Sequence, residues 1–435
     1  MSARRSIVPA LAAVGLFVSG CATGAGGPST SNHAGPTSPA PQPKAPREPA
    51  SAELRADSQP LLDQRTLQGL EAAEDRYRAI VSQGGWPTVP PGPSFRPGDG
   101  DPRTGALARR LATGGDLPHP PPGAPMRLDA SEIAVAVQRF QRRHGLRPTG
   151  VADSATIEAL NVTAESRLAQ LRANIARVRD LTRAAPASKP YVLVNVPAFQ
   201  LEAVDGGRAS LRHRVIVGRV ERPTPGVRAH IRNVNFMPYW HVPESVARTD
   251  LIPHLQKDPE YLEREYIRVL TDWQGQEVAS QSIDWRSPSA ALFKFRQDPG
   301  PRNALGLIRL DMPNEHAVYL HDTPMKELFG QRERAMSAGC VRVENTADLA
   351  AWVLRSVPGW SRARVEETIA RGQPLDVALS EPVPVIFAYV TAWTDAEGVV
   401  EFRSDLYRQD GVSELVASYS RSAPRGSAPR AVMSP

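Results

Sequence analysis

Two side chains in this sequence of 435 residues could together break and remake an acyl bond: the thiol of Cys340 and the imidazole of His321. A thiol becomes a good nucleophile when an imidazole accepts its proton or stabilises the thiolate as an ion pair. Only one other cysteine is present, Cys21 near the N-terminus. The sequence therefore predicts nucleophilic catalysis by Cys340, with His321 as its base.

The residues around His321 predict how the imidazole is held. Apolar and polar side chains alternate from Ala317 to Asp322, as along a strand, and Thr323-Pro324 then turns the chain away. A third group must fix the orientation and tautomer of a catalytic imidazole. Asp322 is the nearest candidate, through either its carboxylate or its backbone carbonyl.

The residues around Cys340 predict an uncrowded nucleophile just before a short strand. Cys340 follows Gly339 and precedes a short β-favouring run, Val341 to Val343. Gly339 has no side chain to crowd the thiol, so we expect the N–H groups of Gly339 and Cys340 to face a developing oxyanion. The loop between His321 and Cys340 is expected to return the thiol to the imidazole.

The N-terminus predicts export and lipidation. Arg4 and Arg5 precede an apolar run, residues 7–18, that is shorter than the roughly 20 residues needed to cross a bilayer. The residues Val18-Ser19-Gly20-Cys21 resemble a bacterial lipobox, which implies lipidation of Cys21. Ala22 in the next position favours an outer-membrane lipoprotein facing the periplasm. An ordinary signal or a membrane anchor with an incidental cysteine is the alternative.

Composition and periodicity divide the rest of the chain into segments. A β-rich region starts near residue 190, with three strands and an Asp205-Gly206-Gly207 turn, and two strands about a turn at 395–398 are expected to complete it. The predicted segments are a signal with the lipidated cysteine (1–21), a disordered Pro/Gly/Ser tether (22–52), a helical scaffold (53–125), a small helical module (126–162), a scaffold helix and linker (163–189), a catalytic domain (190–412) and a disordered tail (413–435).

The small module has its own signature. The residues Gln138 to Asn161, "QRFQRRHGLRPTGVADSATIEALN", resemble the helical peptidoglycan-binding module. The resemblance implies that this module binds the glycan strands of peptidoglycan. A helix pair that serves only as a spacer is the alternative.

The catalytic region resembles the L,D-transpeptidases with a YkuD-type domain, whose motif is a histidine, a loop and then S-x-G-C-x-R. The matching residues are His321, Ser337, Gly339, Cys340 and Arg342, together with "NVPAFQLE", "GPRNALG" and "DMPNEHAVYLHDTP". Ala338 departs from the pattern, since many relatives carry His or Ser there. The resemblance implies a multidomain α+β fold: a helical scaffold and peptidoglycan-binding module, then a mostly β YkuD-type domain with a helical capping insertion at about 242–299.

The same resemblance suggests which residues contact substrate. Arg342 is expected to hold a stem-peptide carboxylate as a bidentate fork, with a structural ion pair as the alternative. Ser337, Tyr319, Asn303 and Arg302 are the other substrate-binding candidates. Trp273 and Trp285 in the insertion either line a lid or form its core.

The reaction implied is a two-step acyl transfer with no cofactor or metal. Cys340 attacks the carbonyl before the terminal D-Ala of a tetrapeptide stem, and an amine of a second stem opens the thioester to form a 3–3 cross-link. Carbapenems are expected to acylate Cys340. Water as the acceptor would make a carboxypeptidase or an enzyme that releases proteins from peptidoglycan, and a non-catalytic peptidoglycan-binding lipoprotein is a further alternative. A papain-like or NlpC-type cysteine peptidase is a weaker alternative, because those enzymes place the cysteine before the histidine and at a helix start, whereas here His321 precedes Cys340.

Charge and motif together limit the partners. The formal charge of +6 is spread along the chain and is not interleaved with aromatic residues, so nucleic acid is not expected. The expected partners are peptidoglycan stem peptides and glycan, a membrane through the lipid on Cys21, and periplasmic cell-wall synthases.

Overall fold

The computed structural model describes residues 54, 57–119, 129–186 and 188–416, which fall in one compact unit. The predicted signal, the lipidation site Cys21 and the tether lie outside the described residues, as do residues 417–435 of the predicted tail. Residues Ser413–Val416 form a 3-10 turn with Leu415 buried, so the folded part extends past the predicted tail start at 413. No helix in these described ranges is both long and apolar enough to cross a membrane.

The N-terminal half of the described chain is helical. Its helices are α1 (Gln64–Ser82), α2 (Thr104–Thr113), α3 (Ala130–Arg143), α4 (Ser154–Asn161) and α5 (Ala164–Ala184). Four of them begin at a residue whose side chain accepts a backbone N–H of the first turn, namely Asp63, Asp129, Asp153 and Thr163. Such caps satisfy donors that the helix itself leaves unpaired.

Helices α2, α3 and α4 share one apolar core with the irregular segment before α2. Its members include Val89, Phe95, Leu107, Leu111, Val137, Phe140, Ile157 and Leu160. Phe95 also pairs with Ala152 through an isolated antiparallel bridge. The helical module therefore takes in residues that precede its predicted start at 126.

The C-terminal half is mostly β-structure. Its strands are β1 (Tyr191–Asn195), β2 (Gln200–Asp205), β3 (Arg208–Gly218), β4 (Val227–Phe236), β5 (Trp240–His241), β6 (Ile267–Leu270), β7 (Glu277–Val278), β8 (Lys294–Gln297), β9 (Ile308–Asp311), β10 (Leu320–His321), β11 (Ala335–Ser337), β12 (Val341–Val343), β13 (Leu375–Ala388), β14 (Ala392–Thr394) and β15 (Val400–Phe402). The predicted turn at 205–207 joins β2 to β3. The predicted fold class is confirmed.

The main sheet has the order β11–β3–β12–β10–β9–β4–β13–β1–β2. Because β2 also pairs with β3, the sheet closes on itself. Most pairs are antiparallel, but β10 and β12 run parallel to each other. Helices α9 (Thr346–Leu354) and α10 (Arg362–Ala370) pack on the core of this sheet.

The capping insertion is a small folded body with its own sheet and core. Strands β5, β8, β6 and β7 form a separate sheet, accompanied by the short helices α6 (Glu244–Val246), α7 (Ile252–Leu255) and α8 (Tyr261–Arg264) and a π-helical turn at Ala247–Leu251. Trp285 is buried in its core, whereas Trp273 is exposed against His241. The insertion core runs from Trp240 to Leu305, slightly beyond the expected range of about 242–299.

The sequence suggested that the last two strands complete the β-rich region. They do not join the main sheet. Instead β14 and β15 form a two-stranded sheet, which packs with α1, α5 and β1 in a second core. The helical half and the catalytic sheet are therefore joined through shared apolar packing.

Candidate active site

Strand register brings Cys340 to the same face as His321. Within the parallel pair, His321 lies opposite Arg342, and the Val341 N–H donates to the Tyr319 carbonyl at 3.1 Å. The register therefore sets Cys340 beside Tyr319, two residues before the His321–Arg342 pair. Because side chains alternate along a strand, Cys340, Tyr319, His321 and Arg342 share one face.

The strand that carries His321 is shorter than the alternation suggested. Only Leu320 and His321 are in β10, and Ala317 has a positive φ of 51°. The Asn314 side chain bonds to the backbone of this segment, donating to the Val318 carbonyl at 2.7 Å. A side-chain-supported turn therefore replaces the first half of the predicted strand.

Two hydroxyl groups fix the loop that carries the thiol. Ser337 Oγ donates to the Cys340 carbonyl at 2.6 Å and accepts from the Gly339 N–H at 3.1 Å. Thr224 Oγ1 donates to the Gly339 carbonyl at 2.7 Å. Ser337 is fully buried, so it holds the loop and is not at a substrate surface.

The role of Gly339 differs from the predicted one. Its φ of 126° is in a region that essentially only glycine adopts, while an added Cβ would meet nothing closer than 3.9 Å. The glycine is thus needed for backbone conformation and not for space. Its N–H is already bonded to Ser337, so it does not face a free oxyanion position in this structure.

The thiol and the imidazole are both buried and both neutral at rest. Cys340 is 8% exposed, and burial raises its pKa to about 11, although Tyr319, Arg342 and Arg309 act in the opposite direction. His321 is 0% exposed, and burial followed by the charge of Arg342 lowers its pKa to about 3. A preformed thiolate–imidazolium pair is therefore not the resting state.

The Asp322 carboxylate does not orient the imidazole. It accepts from the Leu307 N–H at 3.0 Å and pairs with Lys326, and neither ring nitrogen of His321 has a hydrogen-bond partner in the described structure. Alternation along the chain turns Asp322 away from His321, and Gly306 leaves it room, since a Cβ there would lie 2.5 Å from Asp322 Oδ2. The backbone of Asp322, the other predicted possibility, lies near enough to His321 to raise its pKa in part.

Tyr319 lies at the boundary between the catalytic core and the insertion core. Its side chain packs against both, and its ring meets the His321 ring edge-on at 5.6 Å. Burial and then the neighbouring Cys340 raise the pKa of the phenol well above its usual range. A protonated hydroxyl therefore stands beside the thiol.

Arg342 is a buried cation beside the catalytic pair. It is 2% exposed, its Nε has no hydrogen-bond partner, and no ion pair to it is found among the described residues. Burial lowers its pKa to about 10, while Cys340 acts in the opposite direction. The structural ion pair considered from sequence is thus not seen.

Asn303 and Arg302 are not brought to the thiol. Asn303 is buried, and its amide donates to the carbonyls of Pro238 and Asp298, each at 3.0 Å. Arg302 is exposed and pairs with Glu265 at 3.4 Å. Both residues tie the returning end of the insertion to its surroundings.

The sequence did not indicate a polar row that continues from His321 across the sheet. Arg309 lies opposite His321, Asn235 opposite Arg309, and Asp376 opposite Asn235. Arg309 Nε donates to Asn235 Oδ1 at 2.9 Å, and Asn235 Nδ2 donates to Asp376 Oδ1 at 2.6 Å. Only strand register brings these residues together, so no local motif could have identified them.

An open cleft lies beside this polar row. It measures about 400 Å³, and Arg309, Asn235, Asp376 and His241 are among its lining residues. Arg309 also borders Tyr319, with its guanidinium 5.5 Å from the ring centre. Over the described ranges, no group of three or more His, Cys, Asp or Glu side chains is arranged to hold a metal ion.

Two family models match parts of this chain. Residues 189–377 match the YkuD model, described as an L,D-transpeptidase catalytic domain, and residues 102–160 match a model described as "Putative peptidoglycan binding domain". Cys340 and His321 both lie in the first match.

One curated relative and two solved structures illustrate the similarity. A Haemophilus influenzae protein described as "Putative L,D-transpeptidase" is 35% identical over 229 residues, which are 52% of this chain and 46% of that protein. The chain thus spans about half the length of this relative. An L,D-transpeptidase from Mycobacterium smegmatis is 12% identical, with 46% of this chain and 58% of that chain covered and a TM-score of 0.24. One from Stackebrandtia nassauensis is 13% identical, with 69% and 96% covered and a TM-score of 0.23. Scores this low carry no argument about this chain.

Proposed function

We propose that this chain, whose residues 189–377 match the model of an L,D-transpeptidase catalytic domain, forms 3–3 cross-links in peptidoglycan by acyl transfer through Cys340. The observation that carries the proposal is the position of Cys340 and His321 on one face of adjacent strands inside that domain. The neighbouring peptidoglycan-binding domain supports the same polymer as substrate.

In the first step Cys340 Sγ attacks the carbonyl carbon that precedes the terminal D-Ala of a tetrapeptide stem. The thiol proton passes to His321 as the C–S bond forms, and His321 then protonates the departing amine of D-Ala. Since His321 is neutral at rest, it is ready to accept this proton. The product is a thioester between the stem and Cys340.

In the second step an amine of a neighbouring stem attacks the thioester carbonyl. His321 takes a proton from that amine and returns it to sulfur as the C–S bond breaks. The acyl group ends on the amine as a 3–3 cross-link, and the thiol is restored. The thioester keeps the energy of the cleaved amide, so the transfer needs no nucleotide.

The charges and donors around the thiol support this chemistry. Arg342 and Arg309 both lower the pKa of Cys340 against the effect of burial, so they favour negative charge on sulfur. Tyr319 keeps its proton and stands beside the thiol, where it can donate to the oxyanion of each tetrahedral intermediate. Asp322 acts on His321 through its backbone and not through its carboxylate.

The insertion supports transfer to an amine over hydrolysis. Tyr319 and Ala338 both pack against the insertion core, so this small body covers the approach to Cys340. A site closed to bulk water favours a bound amine as acceptor.

The envelope location is part of the proposal. Cross-linking of peptidoglycan takes place outside the cytoplasmic membrane, and lipidation at Cys21 would hold the enzyme at the outer membrane on its tether. Periplasmic cell-wall synthases are candidate partners there. The peptidoglycan-related domains support the cell envelope as the location.

The test is to incubate the protein lacking residues 1–21 with disaccharide-tetrapeptide and to identify the products by mass spectrometry. We expect a 3–3 dimer and free D-Ala from the wild type, and neither product from Cys340→Ala. Tripeptide without dimer would reassign the chain as a hydrolase with water as acceptor. Dimer formation by Cys340→Ala would exclude the proposed mechanism.

A further inference from the structure

A second polar cavity lies between the helical module and the catalytic domain. It measures about 80 Å³, and none of the active-site side chains described above lines it. The module contributes His144 and Glu158 to its wall, and Arg167 comes from α5. The catalytic half contributes Arg332 and Arg403. We call this space the seam cavity.

Arg167 is a buried cation without a counter-ion. It is 5% exposed, and its Nε has no hydrogen-bond partner. Its terminal nitrogens donate to two neutral oxygens, Gln170 Oε1 at 2.8 Å and the Ala159 carbonyl at 3.4 Å. No carboxylate in the described structure forms an ion pair with it. Burial lowers its pKa to about 10, and the opposing effects of Tyr77 and Asp410 are smaller than that of burial.

The other charges around the seam cavity leave it electropositive. Arg403 pairs with Glu401 at 3.0 Å, and Arg332 donates to Glu333 at 2.8 Å. Glu158 is exposed at the rim and is the only acidic residue in the described lining. Burial, followed by the charge of Arg143, holds the pKa of His144 well below its usual range, so this ring adds no charge.

Packing alone does not account for Arg167. Its guanidinium lies over the Phe402 ring, 4.7 Å from the centroid, and this contact offsets only part of the desolvation. Guanidinium groups prefer planar oxyanions that accept two hydrogen bonds at once. One water molecule needs about 10–15 Å³ of such space, so the cavity has room for a carboxylate or phosphate group.

We infer that the seam cavity is a second binding site, which takes one carboxylate group of a peptidoglycan stem peptide, with Arg167, Arg332 and Arg403 as its donors. The arginines around the cavity are by themselves the reason to expect a bound oxyanion there. Its assignment to peptidoglycan rests on the proposed function, because His144 and Glu158 belong to the residues that match a peptidoglycan-binding domain. Free inorganic phosphate offers the same chemistry from another source.

Calorimetric titration of the chain lacking residues 1–21 tests this inference. Cys340→Ala is the background, so that no bound peptide is consumed. The probes are disaccharide-tetrapeptide, the same compound with its carboxylates amidated, and inorganic phosphate. We expect the free tetrapeptide to bind, and either amidation or Arg167→Gln to weaken binding by about tenfold or more. Arg183→Gln, which changes an exposed arginine near the other end of α5 and outside the cavity, serves as the matched control and should leave the affinity unchanged.

Folding of the variants is controlled by thermal unfolding. Arg167→Gln removes an unpaired buried cation, so the unliganded variant should unfold at or above the wild-type temperature. If Arg167→Gln fails to fold, Arg332→Gln takes its place in the binding test. Arg332 is partly exposed, so it can be changed without loss of the core, and its replacement should also weaken tetrapeptide binding. Tetrapeptide affinities that match the wild type in both variants would overturn the site.

The other two probes decide the source of the anion. Phosphate binding that Arg167→Gln abolishes, with tetrapeptide binding unaffected by the same change, would overturn the assignment to peptidoglycan. The titration uses an inactive background, so it does not depend on cross-linking activity. A wild type that makes no dimer would count against the proposed function, while the seam cavity would still be judged by its own binding data.

Discussion

At the scale of single residues, the candidate active site is a neutral thiol and a neutral imidazole, both buried. Cys340 keeps its proton because desolvation raises its pKa, and His321 stays unprotonated because desolvation lowers its pKa. The two shifts increase the difference between the pKa values of the thiol and the imidazole, so the proton stays on sulfur until a substrate binds. Proton transfer is then coupled to attack and does not precede it.

The pH dependence of thiol alkylation tests this neutral pair. Thiolate is the reactive form, and the pKa of Cys340 is raised to about 11, so the rate constant for iodoacetamide should increase about tenfold per pH unit from pH 7 to pH 10. The measurement is the rate of modification of the peptide that contains Cys340, with glutathione as the reference thiol. A rate that is already constant from pH 6 upward would show a preformed ion pair.

Thr224 is a positioning residue for the nucleophile loop. It is buried, donates to the Gly339 carbonyl at 2.7 Å and accepts from the Gly218 N–H at 2.8 Å. Thr224→Val keeps the shape but leaves both backbone groups unpaired, which should cost about 1–3 kcal/mol of stability. Because the thiol then loses its fixed position, we expect kcat to fall about tenfold or more with little change in KM.

The control for this change is Thr224→Ser, which keeps the hydroxyl and should retain near wild-type kcat. Steady-state release of D-Ala from disaccharide-tetrapeptide gives both constants. Equal kcat values for the Val and Ser variants would show that the hydrogen bond to Gly339 does not position the thiol.

The sequence was most informative about residues whose role is set by their own type. The Cys340 and His321 pair follows from thiol and imidazole chemistry and from the motif around them. Asn303 and Arg302 lie in a conspicuous Gly-rich segment, yet their side chains serve the insertion. Arg309 and Thr224 gave no local signal because their neighbours in space come from distant strands. Asp322 was identified, but the carboxylate and backbone alternatives could be separated only by seeing where the carboxylate points.

At the scale of elements, the insertion works as a separate small body. Its core is built from Trp240, Trp285, Phe295 and neighbouring aliphatic residues, and it touches the catalytic core through Tyr319. The sequence left two roles open for Trp273 and Trp285. The structure separates them, because Trp285 is 5% exposed and Trp273 is 41% exposed.

Substitution of the two tryptophans tests the role of the insertion. Trp285→Ala removes a buried ring beside Phe295 and should destabilise the insertion by about 3–5 kcal/mol. A loosened insertion admits water, so the ratio of tripeptide to 3–3 dimer should rise. Trp273→Ala is the matched control, and as a surface change it should alter stability by about 0.5 kcal/mol or less.

The readouts for the tryptophan variants are product analysis and hydrogen exchange over residues 240–305. We expect faster exchange there for Trp285→Ala only. An unchanged product ratio in a Trp285→Ala protein with faster exchange would show that the insertion does not exclude water from the thioester.

At the scale of the whole molecule, the helical half is built into the catalytic half. Asn174 on α5 exchanges two hydrogen bonds with Thr391, its Nδ2 donating at 2.8 Å and its Oδ1 accepting at 2.8 Å. Gln170 donates to the Arg403 carbonyl at 2.9 Å, and Arg177 pairs with Asp410. The sequence predicted a scaffold helix within residues 163–189, but not that this helix meets β14 and β15.

This arrangement places a module that matches a putative peptidoglycan-binding domain in the same compact unit as Cys340. Under the proposed function, a polymer bound by the helical half would lie close to the catalytic half. The seam cavity lies where the two halves meet, and Arg332 is in the segment that leads into β11 and then to Cys340.

The central claim is that the acyl group of the stem is carried by Cys340, and the most direct measurement is the mass of the acylated protein. The chain lacking residues 1–21 is mixed with disaccharide-tetrapeptide, quenched in acid within one turnover, and analysed intact and after digestion. We predict an adduct equal to the tetrapeptide donor less D-Ala on the peptide that contains Cys340, and no adduct on Cys340→Ala. An adduct on any other residue, or release of D-Ala by Cys340→Ala, would contradict the account.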